Sequence, residues 1–147
     1  MAKAETLEWI EYSKRDFDSA SFLKAMKPLP VEIICYLSQQ AAEKALKALL
    51  VENSIPVQKT HDLLILQKLL NPILGTNQID SQCALLTNFA TITRYPYPSI
   101  QIEESESYNA LEASKKVRDF VKNCLELESS KDDIILPSST EEIDDSK

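Results

Sequence analysis

The chain has 147 residues, of which 44% are apolar, and carries a formal net charge of −7 at pH 7. This length accommodates one domain and a tail rather than two domains. The sole glycine, Gly75, excludes the dinucleotide fingerprint and the phosphate-binding loop, because each needs more than one glycine, and it disfavours sheet proteins, whose tight hairpins need positive φ.

Seven prolines divide the sequence into stretches that each show helical periodicity. Proline removes an N–H donor and clashes with the preceding turn, so helices tend to end near it. Since no stretch alternates with a two-residue period, we predict an all-α fold, an up-and-down antiparallel bundle of four to five helices. The predicted helices cover residues 4–27, 31–53, 62–74, 80–93 and 103–127.

The predicted helices also carry start signals and buried faces. Thr60 or Asp62 is predicted to cap the third helix, and Asp80 the fourth. The positions predicted to face the core repeat at intervals of three and four residues, as on one side of a helix. They include Ile10, Ser13, Phe17 and Ala20 in the first helix, Leu63, Leu66, Leu70 and Ile73 in the third, Cys83, Leu86 and Ala90 in the fourth, and Ala110, Ser114, Val117, Val121 and Leu125 in the last.

The acidic charge is concentrated after the last predicted helix. Residues 128–147 contain seven acids and two lysines, a balance of −5, which leaves 16 acids against 14 bases, or −2, for residues 1–127. We therefore predict a helical domain over residues 1–127 and a disordered acidic tail over residues 128–147. The domain lacks a basic stripe, which argues against RNA as a partner.

The cysteines and the apolar segments indicate the cellular location expected for the protein. Cys35, Cys83 and Cys124 are odd in number and widely spaced, which is typical of reduced thiols. With one histidine and no C-x-x-C motif, we expect neither a metal site nor a cofactor. No segment approaches the ~20 apolar residues of a membrane span, and the first residues lack the apolar core of a signal peptide. We expect a cytoplasmic protein without membrane contact.

The predicted second helix has a polar side made of Tyr36, Gln40, Glu43 and Lys47, with Lys44 beside it. One interpretation is a solvated face whose Glu43–Lys47 ion pair contributes about 0.3–0.5 kcal/mol. The other is a groove that faces a ligand or a second subunit. Periodicity alone favours the solvated face.

A proline-stiffened loop, Arg94-Tyr95-Pro96-Tyr97-Pro98, is the second candidate site. Its tyrosines could brace the arginine, whose guanidinium would bind a phosphate through two hydrogen bonds. Alternatively, the loop is a rigid connection and the arginine caps the carbonyl groups of the fourth helix. Spacing does not separate these two interpretations.

The third candidate is Lys59-Thr60-His61-Asp62, just before a predicted helix. The positive end of a helix dipole disfavours a protonated histidine, so His61 could act as a base. A lone histidine at a helix start is more often a capping or packing residue, and we favour that interpretation.

These three segments, in this order, resemble HEPN domains. The run LSQQAAEKALKALL at residues 37–50 resembles the signature of the family's second helix, Thr60-His61-Asp62-Leu63 resembles the next marker, and Arg94-Tyr95-Pro96 the one after. The resemblance covers about residues 5–127. It implies a dimerising helical bundle that often accompanies a minimal nucleotidyltransferase, sometimes as a toxin–antitoxin pair, and that has been proposed to bind nucleotides.

Many HEPN relatives are metal-independent ribonucleases with an R-x(4–6)-H motif, in which histidine and arginine act on the RNA 2′-hydroxyl and the scissile phosphate. This sequence departs from that motif. If Arg94 is the motif arginine, histidine should follow at position 99, 100 or 101, which hold Ser99, Ile100 and Gln101.

The preferred hypothesis is therefore a non-catalytic, homodimeric binding module. It would present Arg94, Tyr95, Gln40, Lys44 and Lys47 to a nucleotide phosphate or to a nucleotidyltransferase partner. Arg94 would contact the phosphate, Tyr95 would stack on a base or brace the arginine, and the lysines would supply positive charge. The alternatives are a ribonuclease that uses Arg94 and His61, and a scaffold that binds only another protein.

Overall fold

Six α-helices make up most of the part of the chain that the computed structural model describes, residues 2–92 and 102–127. These residues contain no strand, which confirms the all-α prediction, and none of their helices is long and apolar enough to cross a membrane. The helices, with the 3-10 turns between them, are α1 (Ala4–Phe22), a turn at Leu23–Ala25, α2 (Val31–Glu52), α3 (Leu63–Leu74), a turn at Thr76–Ile79, α4 (Asp80–Thr87), α5 (Phe89–Ile92) and α6 (Glu104–Cys124).

α2 is the central helix of the bundle and packs most extensively against α1 and α6. Ala41, Ala42 and Ala45 are fully or almost fully buried, and such small side chains let neighbouring helices approach closely. α1 and α2 run antiparallel, since Thr6 near the start of α1 donates a 2.8 Å hydrogen bond to Glu52 at the end of α2.

α3 begins and ends at residues that explain its length. Asp62 is its N-cap and accepts a 2.9 Å hydrogen bond from the Leu64 amide. Of the two residues predicted for this cap, Thr60 and Asp62, the structure confirms Asp62. Gly75 ends the helix in the left-handed region, at φ 64°, where a residue without a Cβ is favoured. Pro72 lies inside the last turn of α3 rather than beyond it.

Four details of the predicted helices are wrong. The first helix ends at Phe22 rather than at residue 27. Asp80 is the first residue of α4 rather than its cap, and its carboxylate accepts a hydrogen bond from Gln67 instead. Ile73 is 55% exposed, because it lies in the last turn of α3, beyond Leu70, the last buried position of that helix. The predicted fourth helix is divided into α4 and the single turn α5.

The three cysteines are free thiols, as predicted. Cys35 and Cys83 are fully buried, and Cys124 is partly exposed. Burial raises the pKa of Cys35 and of Cys83 to about 12, and the carboxylates of Glu106 and Glu32 add to the effect at Cys35. The two buried thiols are therefore poor nucleophiles at neutral pH and act as small core residues.

Candidate functional site

A polar cluster centred on the Glu43 carboxylate lies between α2 and the segment that leads into α3. Glu43 Oε2 accepts a 2.8 Å hydrogen bond from Lys47 Nζ, and Glu43 Oε1 lies 3.0 Å from Nδ1 of His61. The side-chain amides of Gln39 and Gln40 also donate to Oε1, at 3.2 and 3.3 Å. These five residues are called the Glu43 cluster below.

The spacing of the α2 residues brings their side chains together. Gln39, Glu43 and Lys47 follow one another at intervals of four residues, and Gln40 precedes Glu43 by three, so all four lie on one side of the helix. His61 is held at two points, because Gln39 Nε2 donates to its carbonyl oxygen at 3.0 Å while the ring contacts Glu43.

The turn before α3 fixes the position of the histidine. The Asp62 amide donates to Thr60 Oγ1 at 3.0 Å, and Asp62 then caps α3. His61 lies between these two local contacts, so its ring is directed back to α2. Of the two roles predicted for His61, capping or packing, the capping role belongs to the neighbouring Asp62, and His61 contacts a carboxylate 18 residues earlier in the chain.

The Glu43 carboxylate is 4% exposed, and its charge is balanced within the cluster. Burial by itself would raise the pKa of Glu43, but hydrogen bonds from Lys47 and His61, together with the Lys47 charge, hold the pKa below its ordinary value of 4.5. The cluster therefore contains a buried carboxylate–ammonium pair at neutral pH.

The His61 side chain connects this buried pair to the surface, since 48% of the side chain is exposed. A carboxylate can only accept a hydrogen bond, so in the neutral ring the contact with Glu43 places the proton on Nδ1. Nε2 then carries the ring's lone pair. A histidine oriented in this way can accept a hydrogen bond or a proton at Nε2.

The prediction that the polar side of the second helix is exposed to solvent is wrong, because Glu43 and Lys47 are buried. The predicted Glu43–Lys47 ion pair is confirmed. Lys47 is 8% exposed, and its ammonium group lies 5.9 Å from the centre of the Trp9 ring on α1. Lys44 forms a 2.5 Å ion pair with Asp16 of α1. Of the predicted ligand contacts on α2, Lys47 is enclosed, while Gln40 and Lys44 remain partly exposed.

The predicted loop contacts, Arg94 and Tyr95, lie outside the described residues. The end of α4 contacts the start of α3, where Thr87 accepts a 3.1 Å hydrogen bond from the amide of Leu63. α5 follows directly and packs against α2, and Arg94 comes two residues after α5 in the sequence.

Sequence reasoning missed a second buried polar group, around Arg118 of α6. Arg118 is 2% exposed; its Nε donates to Ser13 Oγ at 3.0 Å, and Ser13 Oγ donates to the Ala41 carbonyl at 2.7 Å. Its guanidinium lies 5.2 Å from the centre of the Phe17 ring. A signal existed in the sequence, since position 118 lies on the same helix face as the predicted core residue Ser114, one turn earlier.

The fold and the cluster define an all-α bundle domain with a carboxylate–histidine contact between its second and third helices. The chain belongs to the HEPN domain family, whose model matches residues 6–124, and this confirms the resemblance in the sequence motifs.

Two solved structures are similar to the chain. The crystal structure of TT1696 from Thermus thermophilus has a TM-score of 0.73 at 22% identity, over 82% of this chain and 98% of that one. The structure of ST0689, an archaeal HEPN homologue, has a TM-score of 0.64 at 25% identity, over 82% of this chain and 97% of that one. No curated protein sequence matches the chain. These comparisons establish the fold and the family.

Proposed function

We propose that this chain is a non-catalytic binding module that holds the phosphate of a nucleotide and acts beside a nucleotidyltransferase partner. The observation that carries the proposal is the Glu43 cluster, which orients His61 at the surface. The hydrogen bond from the Leu63 amide to Thr87 joins the start of α3 to the end of α4, seven residues before Arg94 in the sequence. A buried polar network is costly unless each member is satisfied, so its presence fixes the positions of the side chains at its edge.

The pairing of both lysines on α2 supports Arg94 as the main residue of the proposed phosphate contact. Lys47 is neutralised by Glu43, and Lys44 is paired with Asp16. Arg94 would therefore contribute the charge, while Gln40 and His61 contribute uncharged polar contacts. Tyr95 would stack on the base or brace the arginine, and Lys44 would add a weaker attraction.

The proposal extends to assembly. We propose a homodimer, which is supported by family membership and by the exposed apolar side chains of Ile65 and Ile73 on α3. A partner nucleotidyltransferase would then form a toxin–antitoxin pair with the dimer. Light scattering on the purified chain, alone and with the partner, measures both assemblies.

The nucleotide site is tested by calorimetric titration with ATP. We expect saturable heat for the wild type and at least tenfold weaker binding for Arg94→Ala, because a bidentate charge-assisted contact contributes about 1.5–3 kcal/mol and 1.4 kcal/mol is a factor of ten. Arg15→Ala is the matched control, since it removes an exposed arginine on α1.

The outcomes separate the hypotheses. Equal affinity in the Arg94→Ala variant would remove Arg94 from the site. An absence of heat in every protein would reject nucleotide binding and leave the scaffold that binds only another protein.

A metal-independent ribonuclease is the second candidate, and the His61–Glu43 contact is the observation that favours it. A carboxylate on Nδ1 orients an imidazole for proton transfer at Nε2, as in other enzymes with a histidine base. Arg94 would then stabilise the phosphate charge. In that case the purified chain would cleave RNA in the presence of a chelator, and His61→Ala would lose the activity; intact RNA with the wild type would reject this function.

A further inference from the structure

A cavity that shares no residue with the Glu43 cluster lies between α3, the 3-10 turn after it, and the start of α4. Its volume is about 340 Å³, and one wall is the partly exposed side chain of Leu64. This volume is at the lower end of the range for small-molecule sites, roughly 300–1,000 Å³. Its remaining walls are polar: Gln67, Lys68, Asn71, Thr76, Asn77 and Asp80.

Internal hydrogen bonds hold the buried side of the cavity in one arrangement. Gln67 is 4% exposed and donates both to the Thr76 carbonyl, at 2.8 Å, and to the Asp80 carboxylate. Thr76 is fully buried, and its hydroxyl donates to the Gln67 carbonyl at 3.2 Å. A polar wall that is already satisfied is rigid and needs no rearrangement to receive a ligand.

The orientation of Asn71 follows from the same network. Its Oδ1 accepts a 2.8 Å hydrogen bond from the Thr76 amide, so the amide nitrogen Nδ2 is on the opposite side of the group. No described residue accepts a hydrogen bond from this nitrogen. Asn71 therefore offers the cavity a donor with a fixed direction.

The cavity also holds one positive and one negative group that do not pair with each other. Lys68 and Asp80 both line it, and neither forms an ion pair with any residue among 2–92 and 102–127. Lys68 lies on α3 one turn before Asn71, and Asp80 is the first residue of α4. Two donors, Lys68 and Asn71, and one carboxylate, Asp80, therefore line the same cavity.

We propose that this cavity binds a small zwitterion of the α-amino acid type. The ligand's carboxylate would accept hydrogen bonds from Lys68 and Asn71, and its ammonium group would donate to Asp80. Asn77 would add a further amide contact, and Leu64 would contact a small apolar side chain. A ligand that carries both a carboxylate and an ammonium group would satisfy Lys68 and Asp80 at the same time.

The test is titration of the ¹⁵N-labelled full chain with L-alanine and with L-leucine, followed by ¹H–¹⁵N spectra. We expect saturable shifts confined to amides of residues 64–80 for at least one of them. Acetate alone and methylamine alone should each bind at least about tenfold more weakly, since acetate would contact only the donors and methylamine only Asp80.

Two variants test which residues bind the carboxylate and the ammonium group of the ligand. Lys68→Gln and Asp80→Asn should each weaken amino-acid binding about tenfold or more, and Asp80→Asn keeps an oxygen for the Gln67 hydrogen bond. Lys24→Gln and Glu11→Gln remove exposed charges elsewhere and should leave the affinity unchanged. Well-dispersed spectra of each variant show that it folds.

Three results would overturn the proposal. The first is an absence of saturable shifts with both amino acids. The second is unchanged affinity in Lys68→Gln or Asp80→Asn. The third is acetate that binds as well as the amino acids, because the cavity would then be a simple anion site.

Discussion

Replacing Glu43 by glutamine is expected to lower the free energy of unfolding by about 3 kcal/mol, because removing one member of a buried ion pair leaves the other charge without compensation. Lys47 is 8% exposed, and its ammonium group donates to Glu43 at 2.8 Å. Glutamine has nearly the same size as glutamate, so the decrease in the free energy of unfolding comes from the lost charge and not from a cavity. Urea unfolding followed by circular dichroism measures the difference.

The same variant should change the dependence of stability on pH. The pKa of Glu43 in the folded chain lies below its ordinary value of 4.5, so protonation favours the unfolded chain. The stabilisation from the ionised carboxylate is fully present above that ordinary value and is lost as the pH falls through the folded value. Wild-type stability should therefore fall more steeply on acidification below pH 4.5 than that of Glu43→Gln.

Two comparisons make the result specific to the buried pair. Asp18→Asn breaks a partly exposed ion pair with Lys14, which is also an i, i+4 pair, and should cost less than about 1 kcal/mol. The double variant Glu43→Gln with Lys47→Met should recover part of the loss, because it removes the uncompensated ammonium group. A loss in Glu43→Gln no larger than that in Asp18→Asn would show that the cluster does not stabilise the fold.

The sequence predicted most of the fold because helices leave local signals. Prolines and three- to four-residue periodicity located the main helices, and Asp62 was one of the two residues predicted to cap the third helix. The buried faces were also largely correct, as at Phe17, Val117 and Val121. These features depend on residues within one or two turns of each other.

The candidate site was less predictable because it depends on contacts between distant segments. The helical pattern of α2 shows that Glu43 and Lys47 share one face, but not that Trp9 and the segment carrying His61 cover that face. The resemblance placed His61 and the α2 run in the same family signature, but it did not predict that their side chains are in contact. That contact forms because the segment after α2 turns back and brings His61 to within hydrogen-bonding distance of Glu43. The expected solvated face failed for this reason.

Arg118 provides the second large expected effect: Arg118→Ala should lower the free energy of unfolding by about 3 kcal/mol. The arginine is 2% exposed, so truncation leaves a cavity among α1, α2 and α6 and removes the contact with the Phe17 ring. Truncation also removes the 3.0 Å hydrogen bond from Arg118 Nε to Ser13 Oγ, whereas Ser13 keeps its own 2.7 Å hydrogen bond to the Ala41 carbonyl. Urea unfolding again gives the value.

Arg15 offers a matched comparison, because its guanidinium lies 5.2 Å from the Tyr12 ring, the same separation as between Arg118 and Phe17. Arg15 is exposed, so Arg15→Ala should change the stability by less than about 0.5 kcal/mol. Arg118→Met, which fills most of the volume without charge, should lose less than Arg118→Ala. If Arg118→Ala lowered the free energy of unfolding no more than Arg15→Ala, the buried cation–ring contact would be no more stabilising than the exposed one. Arg118 would then have no structural role in joining α6 to α1.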